Sequence, residues 1–294
     1  MFAATKFTAL NKVSYYLSLP VLYLIALLPF PILYLLSNCL KFIIFDIIGY
    51  RKEVIITNLK NSFPYKTEQE IQQIANKFYL NFTDMLLECV KMLTLSRKQI
   101  AERFIITNPE YLLTYQDKGK GLIAVVGHMI NWEWAGLIQS HNSPYPALVI
   151  YKPLKNEKFD ELVLKIRSKF NAVLIPMKQT LRKLISYRDK PFLLILAGDQ
   201  YPGKKDSTYK TTFLNQPTHV FMGTEKTAKM MNCPVVFCDI RKTERGRYKV
   251  TFFPLVENPN DTAEGEITEM HINQLEKAIN EQPEIWLWSH RRWK

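Results

Sequence analysis

The chain has 294 residues, of which 47% are hydrophobic, so it can bury a full core in one large domain or one domain with an appendage. Its formal net charge of +12 favours anionic partners such as phospholipid headgroups, phosphorylated sugars, nucleic acid or an acidic carrier protein, and charge alone does not choose among them. The four cysteines match neither the spacing of a zinc site nor a small-domain disulfide framework, which excludes both classes and predicts reduced, packed thiols.

The N-terminal region contains a run of about 28 residues without a charge, residues 13–40, which exceeds the roughly 20 residues needed to cross a bilayer. We therefore expect a membrane anchor within residues 1–50 and a main domain over residues 51–294. Pro29 and Pro31 remove backbone donors inside the run, which predicts either a bent span or a re-entrant hairpin. Basic residues are more frequent after the run than before it, which predicts a cytoplasmic main domain. A buried helix of a soluble core is the alternative interpretation.

Beyond residue 50 the pattern is that of an α/β domain. Apolar positions recur every three or four residues between Thr67 and Leu95, which predicts an amphipathic helix. Further along, predicted strands alternate with helices near 156–170, 179–188, 223–231 and 264–281; the strand sequences are GLIAVV, ALVIY, AVLIP, FLLILAGD, PVVFCDIR and YKVTFFP. This alternation predicts a mostly parallel sheet flanked by helices. Only KTERGR separates the last two strands, so we expect them to form a hairpin that makes the sheet mixed.

The stretch GHMINWEW, residues 127–134, follows the first predicted strand, where α/β sheets place their sites. His128 and Glu133 are five residues apart, so one continuous helix would turn them about 140° away from each other. If Asn131 is the N-cap of a helix, Glu133 lies in the first turn, and His128 in the preceding loop can reach the carboxylate. Such a pair would be a general base oriented by an acid, and a structural hydrogen bond is the alternative.

This stretch, with its H-x-x-x-x-E spacing, closely resembles the late (lauroyl/myristoyl) acyltransferases of lipid A biosynthesis, within the wider glycerol-phosphate and lysophospholipid acyltransferases. Four further stretches are similar, so that the resemblance covers nearly the whole chain: RKEVIITNLKNSFP, AGDQYPG, FMGTEKTAKMMNCPVV and PEIWLWSHRRWK. The resemblance implies a glycerol-phosphate acyltransferase-like fold. It also implies transfer of a fatty acyl chain from acyl carrier protein to a hydroxyl of a lipid A precursor, with the carrier thioester as co-substrate and no other cofactor. His128 would remove the hydroxyl proton, and Glu133 would orient His128.

Two further polar residues are candidates for substrate binding. Arg167 precedes a predicted strand, as an arginine of the superfamily does, and would hold a phosphate or the carrier's phosphopantetheine; a solvated helix arginine is the alternative. Asp199 ends a predicted strand, where the superfamily places an acidic residue near its substrate; a turn carboxylate is the alternative. The tripeptide here is Gly-Asp-Gln rather than the wider superfamily's Pro-Glu-Gly. No His/Asp/Glu set has ligand spacing, so we expect no metal site.

Aromatic and basic residues complete the predicted site. Backbone amides at the start of the Asn131 helix are candidate donors to the thioester oxyanion. Trp132 would line the groove for the acyl chain, and core packing is its alternative. Arg291 and Arg292 lie among tryptophans, a mixture typical of a membrane interface where arginines meet phosphates. A packed C-terminal helix with cation–π contacts is the alternative there.

These features together predict an enzyme at the bacterial inner (cytoplasmic) membrane with its active site on the cytoplasmic side. Its basic surface would attract acyl carrier protein and the anionic membrane rather than nucleic acid. Three alternatives stay open. In the first, the enzyme acylates another lipid, such as an amino-acid lipid, a pigment or a lysophospholipid. In the second, it is a thioesterase or lipid hydrolase. In the third, it is a non-catalytic membrane protein that binds lipid or nucleic acid.

Overall fold

The computed structural model of the chain describes residues 2–116, 119–203 and 207–293. Numbered in chain order, its helices are α1 (Phe2–Leu27), α2 (Phe30–Lys41), α3 (Lys52–Ser62), α4 (Glu68–Lys91), α5 (Arg97–Arg103), α6 (Glu110–Gln116), α7 (Trp132–Asn142), α8 (Glu157–Arg167), α9 (Thr180–Ile185), α10 (Gly223–Met231) and α11 (Glu266–Glu281). Its strands are β1 (Phe104–Ile106), β2 (Leu122–Val126), β3 (Ala147–Tyr151), β4 (Ala172–Pro176), β5 (Leu193–Ala197), β6 (Thr208–Phe213), β7 (Gln216–Phe221), β8 (Val235–Glu244) and β9 (Arg247–Val256).

A seven-stranded sheet forms the centre of the domain, in the order β1-β9-β8-β2-β5-β3-β4. Its neighbouring strands are parallel except for the antiparallel pair β8–β9. The central strand β2 is buried along its whole length, as its continuous apolar sequence requires. The predicted mixed, mostly parallel sheet flanked by helices is confirmed, and so is the hairpin of its last two strands.

The predicted elements of the main domain are all present. The runs ALVIY and AVLIP coincide with β3 and β4, and the other strands differ from prediction at their ends. The predicted amphipathic helix is α4, which begins after Thr67 because Thr67 and Glu70 form a reciprocal capping box. The chain also contains β1 and a separate hairpin of β6 and β7, neither of which was predicted from the sequence.

The uncharged N-terminal run is divided into two helices. Pro29 lies between α1 and α2, and Pro31 occupies the first turn of α2, where a missing N–H costs nothing. The predicted break at the prolines is confirmed. By length and composition, the helical stretch Phe30–Ile47 could cross a membrane, and 22% of it is buried in the protein. The division into an anchor over residues 1–50 and a domain over 51–294 stays a prediction.

The break between α1 and α2 is attached to α4 by a buried lysine. Lys91 donates from Nζ to the backbone oxygens of Ala26 (2.7 Å) and Leu28 (2.8 Å). Thr94 donates to Ala26 O as well. These side chains satisfy carbonyls that the end of α1 leaves without helical partners. The N-terminal helices are therefore hydrogen-bonded to the main domain as well as packed on it.

Candidate active site

The strand register places an imidazole and a carboxylate side by side. β2 and β5 pair in parallel, with Val126 opposite Ala197. Because parallel strands end at the same edge of a sheet, the residues two positions further along each strand, His128 and Asp199, emerge as neighbours. This edge is where sites collect in open α/β sheets.

Asp199 is buried and accepts three hydrogen bonds. The donors are the backbone amide of His128 (2.8 Å), ring Nδ1 of the same residue, and Nε1 of Trp286 (2.8 Å). Burial alone would raise the pKa of this carboxyl group. Its attraction to His128 and these hydrogen bonds outweigh burial and hold its pKa well below the usual range. Asp199 is therefore an ionised, fixed acceptor.

The ring of His128 presents its second nitrogen to the solvent-accessible side of the site. Since Asp199 accepts from Nδ1, the proton resides there and Nε2 retains its lone pair. Gln200 places its side-chain nitrogen 3.2 Å from this Nε2. Burial would lower the pKa of His128, but the charge and hydrogen bond of Asp199 and the charge of Glu133 outweigh it, so the pKa is raised. A carboxylate-oriented imidazole with one reachable nitrogen is suited to general-base chemistry.

The loop that carries His128 is held in place by Asn131. As predicted, Asn131 is the N-cap of α7, and its side-chain oxygen accepts from the amide of Trp134 (3.2 Å). Its side-chain nitrogen donates to Glu88 (2.7 Å), which also accepts from the hydroxyls of Tyr34 (2.8 Å) and Tyr248 (2.7 Å). Burial raises the pKa of Glu88 to about 7, although these hydrogen bonds oppose the shift. The loop is thus tied to α2, α4 and β9 through one carboxyl group.

The C-terminal segment supports the same loop from the other side. Ile130 donates its amide to Ile285 O (2.7 Å), and Met129 pairs with Trp286 in an isolated antiparallel bridge. Asn58, on α3, in turn donates to two backbone oxygens of the 288–290 turn. Trp286 is therefore held firmly enough to direct its indole N–H at Asp199.

Glu133 does not hydrogen-bond to His128, and this corrects the expected pairing. Its carboxylate accepts both Nε (2.8 Å) and Nη2 of Arg167 in a bidentate pair. The physical reason is that the first turn of α7 directs Glu133 towards α8, whereas the imidazole faces the end of β5. The fork of Arg167 that was expected to hold a phosphate is therefore occupied by Glu133. The catalytic role of Glu133 and a binding role of Arg167 stay predictions.

A large apolar cleft begins at His128 and extends between the α7 and α8 helices and the β3 end of the sheet. It encloses about 1160 Å³, counting the space at its open mouth. Its apolar walls include Gly136, Val149 and Ile195. Its charged lining consists of the Glu133–Arg167 pair together with Lys152 and Asp160. Such a cleft can take a hydrocarbon chain with its reactive end at the imidazole.

The remaining predicted residues have mixed outcomes. Trp132 lines the cleft and packs edge-on against the His128 ring at 5.0 Å between ring centroids. Arg291 is exposed, as a contact with headgroups requires. Arg292 is fully buried: it donates to Thr218 (2.6 Å) and lies over the Phe213 ring. The interface interpretation is therefore wrong for Arg292, and the packed cation–π alternative describes it.

Comparison with known proteins decides the family. The sequence model of the family described as bacterial lipid A biosynthesis acyltransferase matches residues 2–294. The chain belongs to this family. The lipid A biosynthesis lauroyltransferase of Escherichia coli (strain K12) is 26% identical over 281 residues, which are 95% of this chain and 90% of that protein. The palmitoleoyltransferase of the same strain is 23% identical, covering 94% and 89%. A lipid A biosynthesis acyltransferase of Haemophilus influenzae is 23% identical, covering 79% and 72%.

As a member of the lipid A acyltransferase family, the protein is an enzyme that acylates a lipid acceptor. Within its site, three residues were not singled out from the sequence: Glu88, Gln200 and Trp286. Gln200 adjoins Asp199 in the quoted AGDQYPG stretch, and Trp286 lies in the C-terminal stretch, so both were within reach of motif reasoning. Glu88 carried no such signal, because an acidic residue in an amphipathic helix is expected to face solvent.

Proposed function

We propose that the protein transfers a fatty acyl chain from an acyl-carrier-protein thioester to a hydroxyl of a lipid A precursor, with His128 as general base. The observation that carries the proposal is the Asp199-bound imidazole at the head of a large apolar cleft. Family membership supports the reaction class. The names of the relatives support lipid A as the acceptor, since they are a lipid A lauroyltransferase and a lipid A palmitoleoyltransferase.

The proposed reaction needs no covalent enzyme intermediate. The acceptor O–H passes its proton to His128 Nε2 while its oxygen bonds to the thioester carbonyl carbon. Asp199 stabilises the imidazolium that forms. The tetrahedral intermediate then collapses: the C–S bond breaks, and the leaving sulfur takes the proton from Nε2. The products are an ester and the free carrier thiol, and His128 returns to its neutral form.

The oxyanion of the intermediate requires hydrogen-bond donors. Two amides at the start of α7 are already engaged, because Trp132 donates to Met129 O and Trp134 donates to the Asn131 side chain. We assign this role to the side-chain amide of Gln200, which lies next to His128 Nε2. The Glu133–Arg167 pair then has a different function. It shapes the polar wall of the cleft, and the Glu133 charge adds to the basicity of His128.

Charge and the N-terminal helices support a membrane location and an acidic donor protein. The net charge is +12, and Lys152 and Arg167 are among the residues that line the large cleft. Such a surface attracts an acidic carrier protein and anionic phospholipids. We therefore place the enzyme at the bacterial inner membrane, anchored by its N-terminal helices, with its site on the cytoplasmic side.

Mass spectrometry of lipid A tests the proposal. Cells that lack this protein are complemented with the unchanged chain, with His128→Ala, or with His219→Ala, a matched control at a histidine on β7 outside the site. We expect one acyl chain to be missing without the protein and with His128→Ala, and to return with His219→Ala. An identical lipid A profile in all strains would refute the proposal.

A second experiment separates the transferase from a hydrolase or from an enzyme with another acceptor. Purified protein is given a carrier-bound acyl donor, alone and with lipid A precursor, lysophospholipid or an amino-acid lipid. Ester formation only with the lipid A precursor supports the proposal. Equal consumption of donor with and without any acceptor would identify a thioesterase instead.

A further inference from the structure

A short helical segment, residues 177–185, follows β4 and contains α9. Leu184 is buried and attaches the segment to the core. By contrast, Met177, Leu181 and Ile185 are 59%, 59% and 50% exposed. Residues four apart lie on the same face of a helix. The segment therefore presents a row of apolar side chains that the described part of the chain leaves in contact with solvent.

Basic side chains flank this apolar row. Residues 177–190 contain five basic residues and one acidic residue, all of them exposed: Lys178, Arg182, Lys183, Arg188, Lys190 and Asp189. None of these five cations forms an ion pair with another described residue. An apolar row bordered by unpaired cations is typical of a helix that lies on an anionic bilayer. We call Met177, Lys178, Leu181, Arg182 and Ile185 the α9 surface.

The strand register places the α9 surface at the edge of the sheet that carries His128. Strands β3 and β4 pair in parallel, with Tyr151 opposite Pro176. Lys152 and Met177 therefore emerge side by side where these two strands end. The parallel strand β2, which precedes His128, ends at the same edge.

Further apolar side chains connect the α9 surface with α1. Leu154 is exposed, lines the large cleft, and donates its amide to Asp160 (2.7 Å) in the first turn of α8. Phe159, in the same turn, packs edge-on against Tyr15 of α1 at 5.3 Å between ring centroids. Tyr16, the next residue of α1, is exposed. Exposed apolar groups thus follow this edge of the domain from the uncharged N-terminal run, past the cleft, to α9.

We propose that the α9 surface is a second membrane contact, separate from the N-terminal helices, that lies in the headgroup region of an anionic bilayer. Leu181 and Ile185 enter the boundary of the acyl chains, and Lys178 and Arg182 pair with lipid phosphates. A bilayer satisfies both parts of the surface, since it offers hydrocarbon to the apolar row and negative charge to the cations. The contact holds the open side of the large cleft near the membrane that carries the acceptor. It rests on the proposed function only for the membrane location.

Site-specific fluorescence in vesicles tests the contact. In a Cys39→Ser chain, which removes the exposed thiol, the NBD fluorophore is attached to Leu181→Cys or to Ile105→Cys. Ile105 is a matched control because it is 56% exposed and lies on β1, at the opposite end of the sheet from β4. The vesicles contain phosphatidylethanolamine, phosphatidylglycerol and doxyl-labelled lipid. We expect doxyl quenching at position 181 and little at position 105.

The same measurement separates the bilayer from other partners. Equal quenching at both positions, or none at 181, would overturn the proposal. A blue shift at 181 without quenching would overturn it as well, because a second protein chain would then cover the α9 surface. Replacing phosphatidylglycerol by phosphatidylcholine should weaken the quenching at 181 by about twofold or more. Unchanged quenching would overturn the role of Lys178 and Arg182.

A pair of charged substitutions tests what the contact does for the enzyme. Leu181→Glu combined with Ile185→Glu is expected to raise the apparent KM for a lipid acceptor in vesicles by about tenfold or more. In detergent micelles the KM should stay within about twofold, because neither residue lines the large cleft. Ile105→Glu should change neither value. No rise in vesicles, or an equal rise in micelles, would overturn the docking role. If the unchanged enzyme transfers no acyl chain even in micelles, the proposed function fails, and the fluorescence result still decides the membrane contact.

Discussion

Replacing Asp199 by asparagine tests the central feature of the site. One carboxylate oxygen accepts from the His128 amide and from Trp286, and a side-chain carbonyl can keep both bonds. The other oxygen faces ring Nδ1, and in Asp199→Asn an NH2 group takes its place. Two donors cannot share this contact, so the ring must accept at Nδ1 and carry its proton on Nε2. Nε2, the nitrogen that should remove the substrate proton, is then already protonated and cannot act as the base.

The size of the effect follows from this change of tautomer. The same replacement in a serine protease lowers kcat about 10⁴-fold, which corresponds to roughly 5.5 kcal/mol of lost transition-state stabilisation. We expect Asp199→Asn to lower kcat by about 10³- to 10⁴-fold, with little change in KM or in the thermal midpoint, because two hydrogen bonds are kept and the third is only reversed in direction. The assay is transfer of a labelled acyl chain from the carrier thioester to the lipid acceptor.

Two controls make the result decisive. Asp189→Asn makes the same chemical change at an exposed aspartate outside the site and should leave kcat unchanged. Glu133→Gln breaks the pair with Arg167 and should cost less than Asp199→Asn. More than a tenth of the original kcat in Asp199→Asn would refute the tautomer argument. A larger loss in Glu133→Gln would restore Glu133 as the acid that orients the ring.

Three further predictions follow from the same contacts. Only neutral His128 can accept the proton, and its pKa is raised, so kcat/KM should increase with pH through a midpoint above about 6.5 and then level off. The residual activity of Asp199→Asn should rise at lower pH than that of the unchanged enzyme. A midpoint below about 6.5 in the unchanged enzyme would contradict this. Trp286→Phe removes one hydrogen bond to a buried carboxylate while keeping an aromatic ring, so urea unfolding should show a free energy of unfolding lower by about 1.5–3 kcal/mol. An unchanged urea midpoint would argue against this hydrogen bond. Glu88→Ala leaves three donors without their acceptor, the half-buried Tyr34 and the buried Asn131 and Tyr248, and should lower the free energy of unfolding by about 3 kcal/mol or more. Glu88→Gln should lower it less, and thermal unfolding in detergent measures both.

The local elements of the fold could be predicted because their signals are contained in short segments. The buried strand β2 is a continuous apolar run, and the start of α4 is specified by a capping box at Thr67. The two short strands of the β6–β7 hairpin were missed. Their side chains alternate in burial and include many threonines and other polar residues, so they lack the apolar runs that identified the other strands.

The candidate site was predicted residue by residue, but its pairings were not. The position of His128 after a strand and the role of Asn131 as a helix cap follow from the local sequence. The role of His128 as general base stays a proposal. Arg292 was expected at a membrane interface because it lies among tryptophans, with a packed cation–π contact as the alternative; the structure buries it fully over the Phe213 ring. The local composition of a segment does not indicate which of its side chains will be buried by other parts of the folded chain.

Local sequence was therefore sufficient for the apolar strands, for the helix cap and for the position of His128 after β2, because each depends on neighbours within a few residues. The identity of the acid that orients the base depends on the order and register of strands. β5 lies beside β2 in the folded sheet, which joins His128 to a carboxylate 71 residues away, while the nearer Glu133 is turned to Arg167 by its helix. The spacing of residues along the chain could not predict that Asp199 rather than Glu133 pairs with His128. That pairing depends on hydrogen bonds between strands that become neighbours only in the folded sheet.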